Sequence, residues 1–302
     1  MIPLRERKKL HRTNRLSLSL LIPVLFCSIL GAQPSMSEWK QLSQDNVISK
    51  TGFTADKITV GPFGDIYLLD SGRSLLARLS SDGSHVRTVG GWGEVGELFS
   101  AGVDLAASYG LEILLLDSDT HRLIRFDRQL NFLDEINLLD REYGVEFPVA
   151  LARNRAGEVA VASDTDDRVT LMNLGGDVLS VMGDEKYGNE RFGQITAVGT
   201  NSLNEIAVID EEVRLVVLNR SGMLLWHRKI ATEVSFLESM GDSWLVGSED
   251  GKFILVNRDS QTPVEQMQSV PVTVTDVAVE GKRLFILEER GFILVSSLIL
   301  DE

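Results

Sequence analysis

Residues 110–127 read Gly-Leu-Glu-Ile-Leu-Leu-Leu-Asp-Ser-Asp-Thr-His-Arg-Leu-Ile-Arg-Phe-Asp. An apolar run closes on Asp117, a short polar turn follows, and a second run starts at Leu123. Runs of this length, rich in Ile and Leu and bounded by Gly, Asp and Ser, are strands joined by a turn. The same cadence recurs at Ile66 to Asp70, Val159 to Ser163, Ile206 to Asp210, Trp244 to Ser248 and Leu284 to Glu288. The six closing residues stand 47, 46, 47, 38 and 40 positions apart. That is the period of a four-stranded propeller blade.

Each copy carries the rest of a blade around it. Gly64, Gly110, Gly157, Asn204, Gly241 and Gly281 precede the closing residues by six or seven positions, where two strands reverse and positive φ is useful. A strand lies upstream, as in Val103 to Ala106 or Val274 to Ala278, and a fourth lies downstream, as in Val86 to Val89 or Leu224 to His227. No long segment of 3.6-residue period follows residue 36, which excludes an α/β fold. The blades fall at about 54–100, 101–147, 148–193, 194–231, 232–271 and 272–302. Only fourteen residues follow Glu288, enough for a third strand from Gly291 to Leu300 and no fourth. The strand-like segment Glu38 to Ser43 has no partner nearby in sequence. The expectation is an all-β, six-bladed propeller of four-stranded antiparallel blades, with residues 37–46 pairing along Phe292 to Ile299 to cover the exposed edge.

The first half of the chain resembles NHL-repeat propellers. Asp117-Ser118-Asp119-Thr120-His121-Arg122-Leu123-Ile124-Arg125-Phe126-Asp127 fits the family's Asp-Ser, Asn-His-Arg-like turn and Phe-Asp almost position by position. Val89-Gly90-Gly91-Trp92-Gly93 with Glu97 to Ser100 fits its Gly-rich exit, and Val145 to Pro148 and Glu190 to Gly193 look like later copies. The resemblance covers about residues 54–210; the last two blades keep only the strand pattern. It implies a binding scaffold in most members. In six-bladed relatives it implies lactonase-type hydrolases with calcium held by Asn, Asp and Glu on separate blades, a peptide-amidating lyase with zinc held by histidines, or strictosidine-synthase-like proteins.

The 302 residues carry a formal charge of −14, which argues against binding to nucleic acid phosphates. A basic, then apolar N-terminus distorts that balance. Arg5, Arg7, Lys8, Lys9, Arg12 and Arg15 precede an apolar stretch from Leu16 to Ala32, the pattern of a secretory signal peptide. The alternative is an uncleaved anchor, the one route to a membrane, although seventeen residues with Pro23 inside are short for a span. Without residues 1–32 the charge is −19 and no cysteine remains, since Cys27 is the only one. An exported, periplasmic or extracellular domain is expected, stabilised by packing and chain closure rather than disulfides.

Two sets of residues could carry function. The turns between second and third strands hold Asp70, Asp117, Asp119, Asp164, Asp166, Asp167, Asp210 and Glu288 among others. In a propeller these turns share a face with the blade-to-blade connections. The first acid of each turn reads as structural, accepting backbone N–H groups; the remainder reads as a docking surface or a weak calcium site. The long connections add Tyr143, Tyr187 and Arg191, while Phe99, Phe147 and Phe192 are expected between blades. The binding-face candidates are therefore Asp117, Asp119, Tyr143, Asp164, Asp166, Asp167, Tyr187 and Arg191. The second set is acids on the innermost strands, such as Asp104 and Asp276. Three or more Asp, Asn or Glu converging there would favour an enzyme, whereas Val, Ala and Thr would disfavour one.

The glycines of Gly91-Trp92-Gly93-Glu94-Val95-Gly96 mimic a dinucleotide motif, but a strand rather than a helix follows. His85, His121 and His227 fall on different parts of their blades, so no zinc site is expected. The reading is a non-catalytic scaffold, without cofactor, that recognises a protein, peptide or envelope component through an acidic, loop-rich face. The alternative is a calcium-dependent lactonase- or lyase-type enzyme with its site at the channel mouth.

Overall fold

The computed structural model describes residues 35–36, 39–42, 53–107, 109–140, 144–183, 191–211, 213–230, 233–258, 265–266 and 269–299. These form six antiparallel sheets. Blade 1 holds β3 (Lys57–Val60), β4 (Ile66–Asp70), β5 (Leu75–Leu79) and β6 (His85–Gly90). Blade 2 holds β7 (Gly102–Ala106), β8 (Glu112–Asp117), β9 (Arg122–Asp127) and β10 (Phe132–Asn137). Blade 3 holds β11 (Pro148–Arg153), β12 (Val159–Ser163), β13 (Arg168–Met172) and β14 (Val178–Met182). Blade 4 holds β15 (Ile195–Thr200), β16 (Ile206–Asp210), β17 (Arg214–Leu218) and β18 (Leu224–Lys229). Blade 5 holds β19 (Phe236–Met240), β20 (Ser243–Gly247), β21 (Phe253–Val256) and β22 (Glu265–Gln266). Blade 6 holds β23 (Val274–Glu280), β24 (Arg283–Glu288) and β25 (Ile293–Ile299). Two short strands, β1 (Ser35–Met36) and β2 (Lys40–Gln41), complete blade 6 along β25.

The ring closes as the strand count requires. Lys40 pairs with Val295, Gln41 with Leu294, Ser35 with Ile299 and Met36 with Leu298, so the edge of β25 is covered. The side chains flanking β2 part to opposite sides of the blade. Trp39 packs into the apolar cluster shared by blades 5 and 6, and Leu42 into that shared by blades 6 and 1. Residues 1–34, which include the segment expected to be a signal peptide, and residues 37–38 and 43–46 of the expected clasp lie outside the described residues.

The core is six clusters, each between two neighbouring blades, rather than one central mass. A second strand is therefore covered on both faces. This explains its uninterrupted apolar sequence: β4, β8, β12 and β16 are buried nearly throughout. The outer strand β18 alternates, and β10 buries little beyond Ile136. Five of the six reversal residues, Gly64, Gly157, Asn204, Gly241 and Gly281, have positive φ. Gly110 does not. A Cβ there would lie 2.3 Å from Nη1 of Arg153 and would displace the guanidinium that crosses from blade 3 to Glu112.

Candidate functional site

The turns that end the second strands separate into buried anchors and exposed followers. Asp70, Asp117, Asp210 and Glu288 are buried. Asp117 accepts hydrogen bonds from the backbone N–H of Ser100 (3.2 Å) and Ala101 (3.0 Å), from Thr120 Oγ1 (2.6 Å) and from Arg122 Nη2 (3.2 Å). Burial alone would raise its carboxyl; these donors outweigh that and hold it below the ordinary aspartate value. Asp70 takes Thr54 N and Arg73 N in the same way, and Asp210 takes Gly193 N and the Arg214 guanidinium. In blade 3 the hydroxyl of Ser163 donates to Glu146 O at 2.7 Å. Asp70, Asp117, Ser163 and Asp210 tie the start of their own blade to the end of its second strand, whereas Glu288 pairs with Arg290 inside its own turn. Asp117, a candidate for the binding face, thus belongs to the blade wall and presents no free oxygen to solvent.

Other acids in these turns remain on the surface. Asp119, Asp164, Asp166, Glu211, Glu249 and Glu289 are exposed, and Asp167 is half-buried with φ of 49°. Asp166 is paired with Arg168. Arg191 is exposed and bridges Gly183 at the blade 3 to blade 4 connection. The expected sharing of a face is borne out by backbone hydrogen bonds from these turns to the connections. Ser118 N donates to Ala101 O, Asp164 N to Phe147 O, and Glu211 N to Gln194 O. Tyr143 and Tyr187 lie outside the described residues. Phe99 and Phe192 are buried between blades as expected, but Phe147 is 53% exposed.

The opposite end of the ring treats its acids differently. Asp65, Glu158 and Glu205, at the starts of second strands, are buried and paired with Arg128, Arg220 and Arg258, each from the next blade. There the carboxylates clamp blade to blade.

A second constellation lines the channel. Lys57 lies opposite Leu69, Asp104 opposite Leu116 and Asp276 opposite Leu287, the same rung of the first-to-second strand ladder in blades 1, 2 and 6. Blades 3 and 4 place Ala150 and Ala197 there. A bulge at Val103 and Thr275 precedes each aspartate, re-aiming the side chain toward the next blade. Asp276 Oδ2 accepts Ile58 N at 2.7 Å, and Asp104 Oδ2 accepts Leu151 N at 2.8 Å. Blade 5 contributes Glu238, two residues further along its first strand than the matching rung.

These four groups feel one another. Lys57 keeps 37% of its side chain accessible although protein surrounds it closely. Asp276, with Oδ1 3.8 Å from Nζ, raises the lysine above its usual value and more than offsets burial, so Lys57 stays charged. Burial raises Asp276 to about 6 despite Lys57 and the Ile58 N–H. Burial, with Asp276 and Asp104 nearby, raises Glu238 well above the ordinary glutamate range. Burial likewise raises Asp104. Asp104 and Asp276 were legible in the sequence as inner-strand acids; Lys57 and Glu238 were not singled out. The signal for Glu238 is a charge inside the apolar run Phe236-Leu237-Glu238-Ser239-Met240.

The channel residues do not fit calcium, which takes six to eight oxygens. Asp104 and Asp276 each commit an oxygen to a neighbouring blade's backbone, and Lys57 already supplies the positive charge. Among the described residues no three His, Cys, Asp or Glu side chains gather closely enough to hold a metal ion. His85 bonds Thr88, His121 packs against Phe147, and His227 lies in β18.

No protein-family model matches the chain, and no curated protein sequence matches it. Solved structures do. The chain is similar to a catalytically inactive virginiamycin B lyase from Staphylococcus aureus with quinupristin, at 12% identity, covering 80% of each chain with a TM-score of 0.58. It is similar to the RRP9 WD40 repeats at 10% identity, covering 88% of this chain and 99% of that one with a TM-score of 0.61. The Neurospora crassa Pan2 WD40 domain matches at 9% identity, 89% and 99% coverage and a TM-score of 0.59. At these identities the likeness is one of fold, and the fold is shared by repeat domains and lyases alike.

Proposed function

We propose that this chain is an exported, NHL-like propeller that recognises a protein, peptide or envelope component through its acidic, loop-rich face. The observation that carries this reading is the division of labour within the turns. The fold consumes the anchor acids, while Asp119, Asp164, Asp166 and their counterparts on other blades remain exposed around the same face. Arg168 holds Asp166, but among the described residues no blade hydrogen bond takes up the Asp119 or Asp164 carboxylate, and charge on one face of a rigid scaffold steers and selects oppositely charged partners. The test is capture on the immobilised propeller from an envelope extract, with wild type beside the Asp119→Lys/Asp164→Lys/Asp166→Lys variant. Recovery of one partner by wild type and its loss with the triple variant supports the reading; equal recovery by both overturns it. Mass spectrometry of the mature protein checks export, with cleavage expected after Ala32.

A second reading has its own observation: three inner-strand acids, Asp104, Glu238 and Asp276, converge on the channel, the arrangement expected above of an enzyme. Glu238, its carboxyl held well above the ordinary glutamate range by burial, and Asp276, raised to about 6, stand in the channel with a charged lysine, a combination suited to metal-independent general acid–base catalysis. A channel-directed substrate whose turnover disappears in Glu238→Gln while the melting temperature holds would favour it over the scaffold.

A further inference from the structure

The connection from β6 to β7, residues 91–101, is folded onto itself. Phe99 N donates to Gly91 O (3.2 Å), Leu98 N to Val95 O (3.3 Å) and Ser100 Oγ to Gly93 O (3.3 Å). Gly91 and Gly96 have φ of 124° and 66°, and a Cβ at Gly93 would lie 2.8 Å from Leu98 Cδ1. Phe99 plugs the cluster between blades 1 and 2. With its shape set by glycines and this plug, the loop nevertheless turns Trp92 (79% exposed) and Val95 (77% exposed) outward.

This loop sits on the second-to-third strand turn of blade 2. Arg122 of that turn donates to Leu98 O at 3.2 Å and ion-pairs with Asp117 and Glu135. The neighbouring His121 packs edge-on against Phe147, with ring centroids 5.1 Å apart. Phe147 ends the connection into blade 3 and holds a φ of 45°, a conformation that bulky residues rarely adopt and that stores of order 1 kcal/mol or more. Its backbone is pinned there by the bond from Asp164 N and by that of Ser163 to Glu146 O. The strain secures no buried contact for the phenyl ring, which faces solvent beside the histidine. The surroundings are acidic: Glu94, Glu97, Asp119, Asp140, Glu146 and Asp164 are exposed. Arg73, Arg122 and Arg168, the described arginines of these turns, are each paired with a carboxylate.

Resting on the docking reading above, we infer that the corner joining blades 1, 2 and 3 is where that face concentrates its binding energy, and that it takes a basic segment carrying a large apolar side chain. The apolar side chain lodges against Trp92 and Phe147, and flanking Lys or Arg groups meet the carboxylates around them. Exposed aromatics within a ring of polar groups are the pattern of interface hot spots, and the unbalanced negative charge selects the sign of the partner.

Three labelled eight-residue peptides test this by fluorescence anisotropy on the whole mature chain: alternating Arg-Leu, alternating Arg-Ser and alternating Glu-Leu. The Arg-Leu peptide is expected to bind at least tenfold tighter than Arg-Ser, with Glu-Leu not binding. Trp92→Ala and Phe147→Ala should each weaken Arg-Leu binding tenfold or more, while Phe63→Ala, at an exposed phenylalanine on the opposite end, leaves it unchanged. Thermal melts show whether the variants remain folded, and Trp92→Ser serves as a second substitution at an exposed site. If Arg-Leu and Arg-Ser bind alike, and both are lost in the Asp119/Asp164/Asp166 lysine variant, the apolar corner is wrong and the acidic-face reading stands. If no cationic peptide binds, both fail.

Discussion

Asp276 looks like half of a stabilising ion pair with Lys57, yet its environment implies the reverse, and Asp276→Asn distinguishes the two. The asparagine carbonyl can still accept the Ile58 N–H that the wild-type Oδ2 takes at 2.7 Å. Lys57 retains Asp104 and Asp56 within electrostatic reach. What the substitution removes is a carboxylate that ionises at about 6 in the folded ring against 3.8 for the free side chain. Below pH 3.8 both folded and unfolded chains carry the proton, and the group contributes its full stabilisation. Between 3.8 and about 6 the folded state keeps a proton that the unfolded state has released, so stability falls as pH rises through that window. At 1.36 kcal/mol per pH unit the whole window corresponds to about 3 kcal/mol, of which about 2 lies above pH 4.5. Urea unfolding of both proteins at pH 4.5 and pH 8 isolates this contribution, because other titrations largely cancel in the difference. The variant should gain about 2 kcal/mol on wild type between the two pH values. A variant that instead loses ground toward pH 8 would show that the pair with Lys57 outweighs desolvation, and the account of the channel would be wrong.

Five further outcomes follow from the geometry. Asp117→Ala leaves two backbone N–H groups and the Thr120 hydroxyl without their acceptor while Arg122 keeps Glu135, and should lower stability by about 2–4 kcal/mol, whereas Asp119→Ala should stay within about 0.5 kcal/mol; urea melts decide. Gly90→Ala places a Cβ 2.4 Å from Ser74 O and 2.7 Å from the Phe99 ring at φ of 100°, and should destabilise by about 2 kcal/mol or more. Gly157→Ala, with open space around it, should lose only about 1 kcal/mol by the same measurement. Deleting residues 35–42 uncovers β25 and withdraws Trp39 and Leu42 from two inter-blade clusters, a loss of about 3–6 kcal/mol, visible in calorimetry as a lower melting temperature. Calcium should leave the melting temperature unmoved; a rise reversed by chelation would contradict the reading of the channel.

Most of the fold was legible because its signals are local and repeated. The run ending at Asp117, the turn after it and the run from Leu123 are each specified within a few residues, and six copies at a blade-like period leave little choice of architecture. The clasp was legible for a related reason: a blade short of one strand and an unpaired strand at the other terminus imply each other. The structural role of the anchor acids could be read too, since an aspartate closing a strand before a turn has backbone donors at hand.

Tertiary structure decided what depends on closure and on the exact path of the chain. Lys57, Asp104, Glu238 and Asp276 are scattered over 220 positions, and they meet only because the ring brings first strands from separate blades around one axis. Their altered acidities arise from the low-dielectric bore that closure creates, which no window of sequence contains. Phe147 reads as another inter-blade plug like Phe99 and Phe192, yet its left-handed backbone turns the ring outward. The sequence by itself determined the number and kind of blades; burial and side-chain direction, which belong to the assembled ring, decided which residues were left for function.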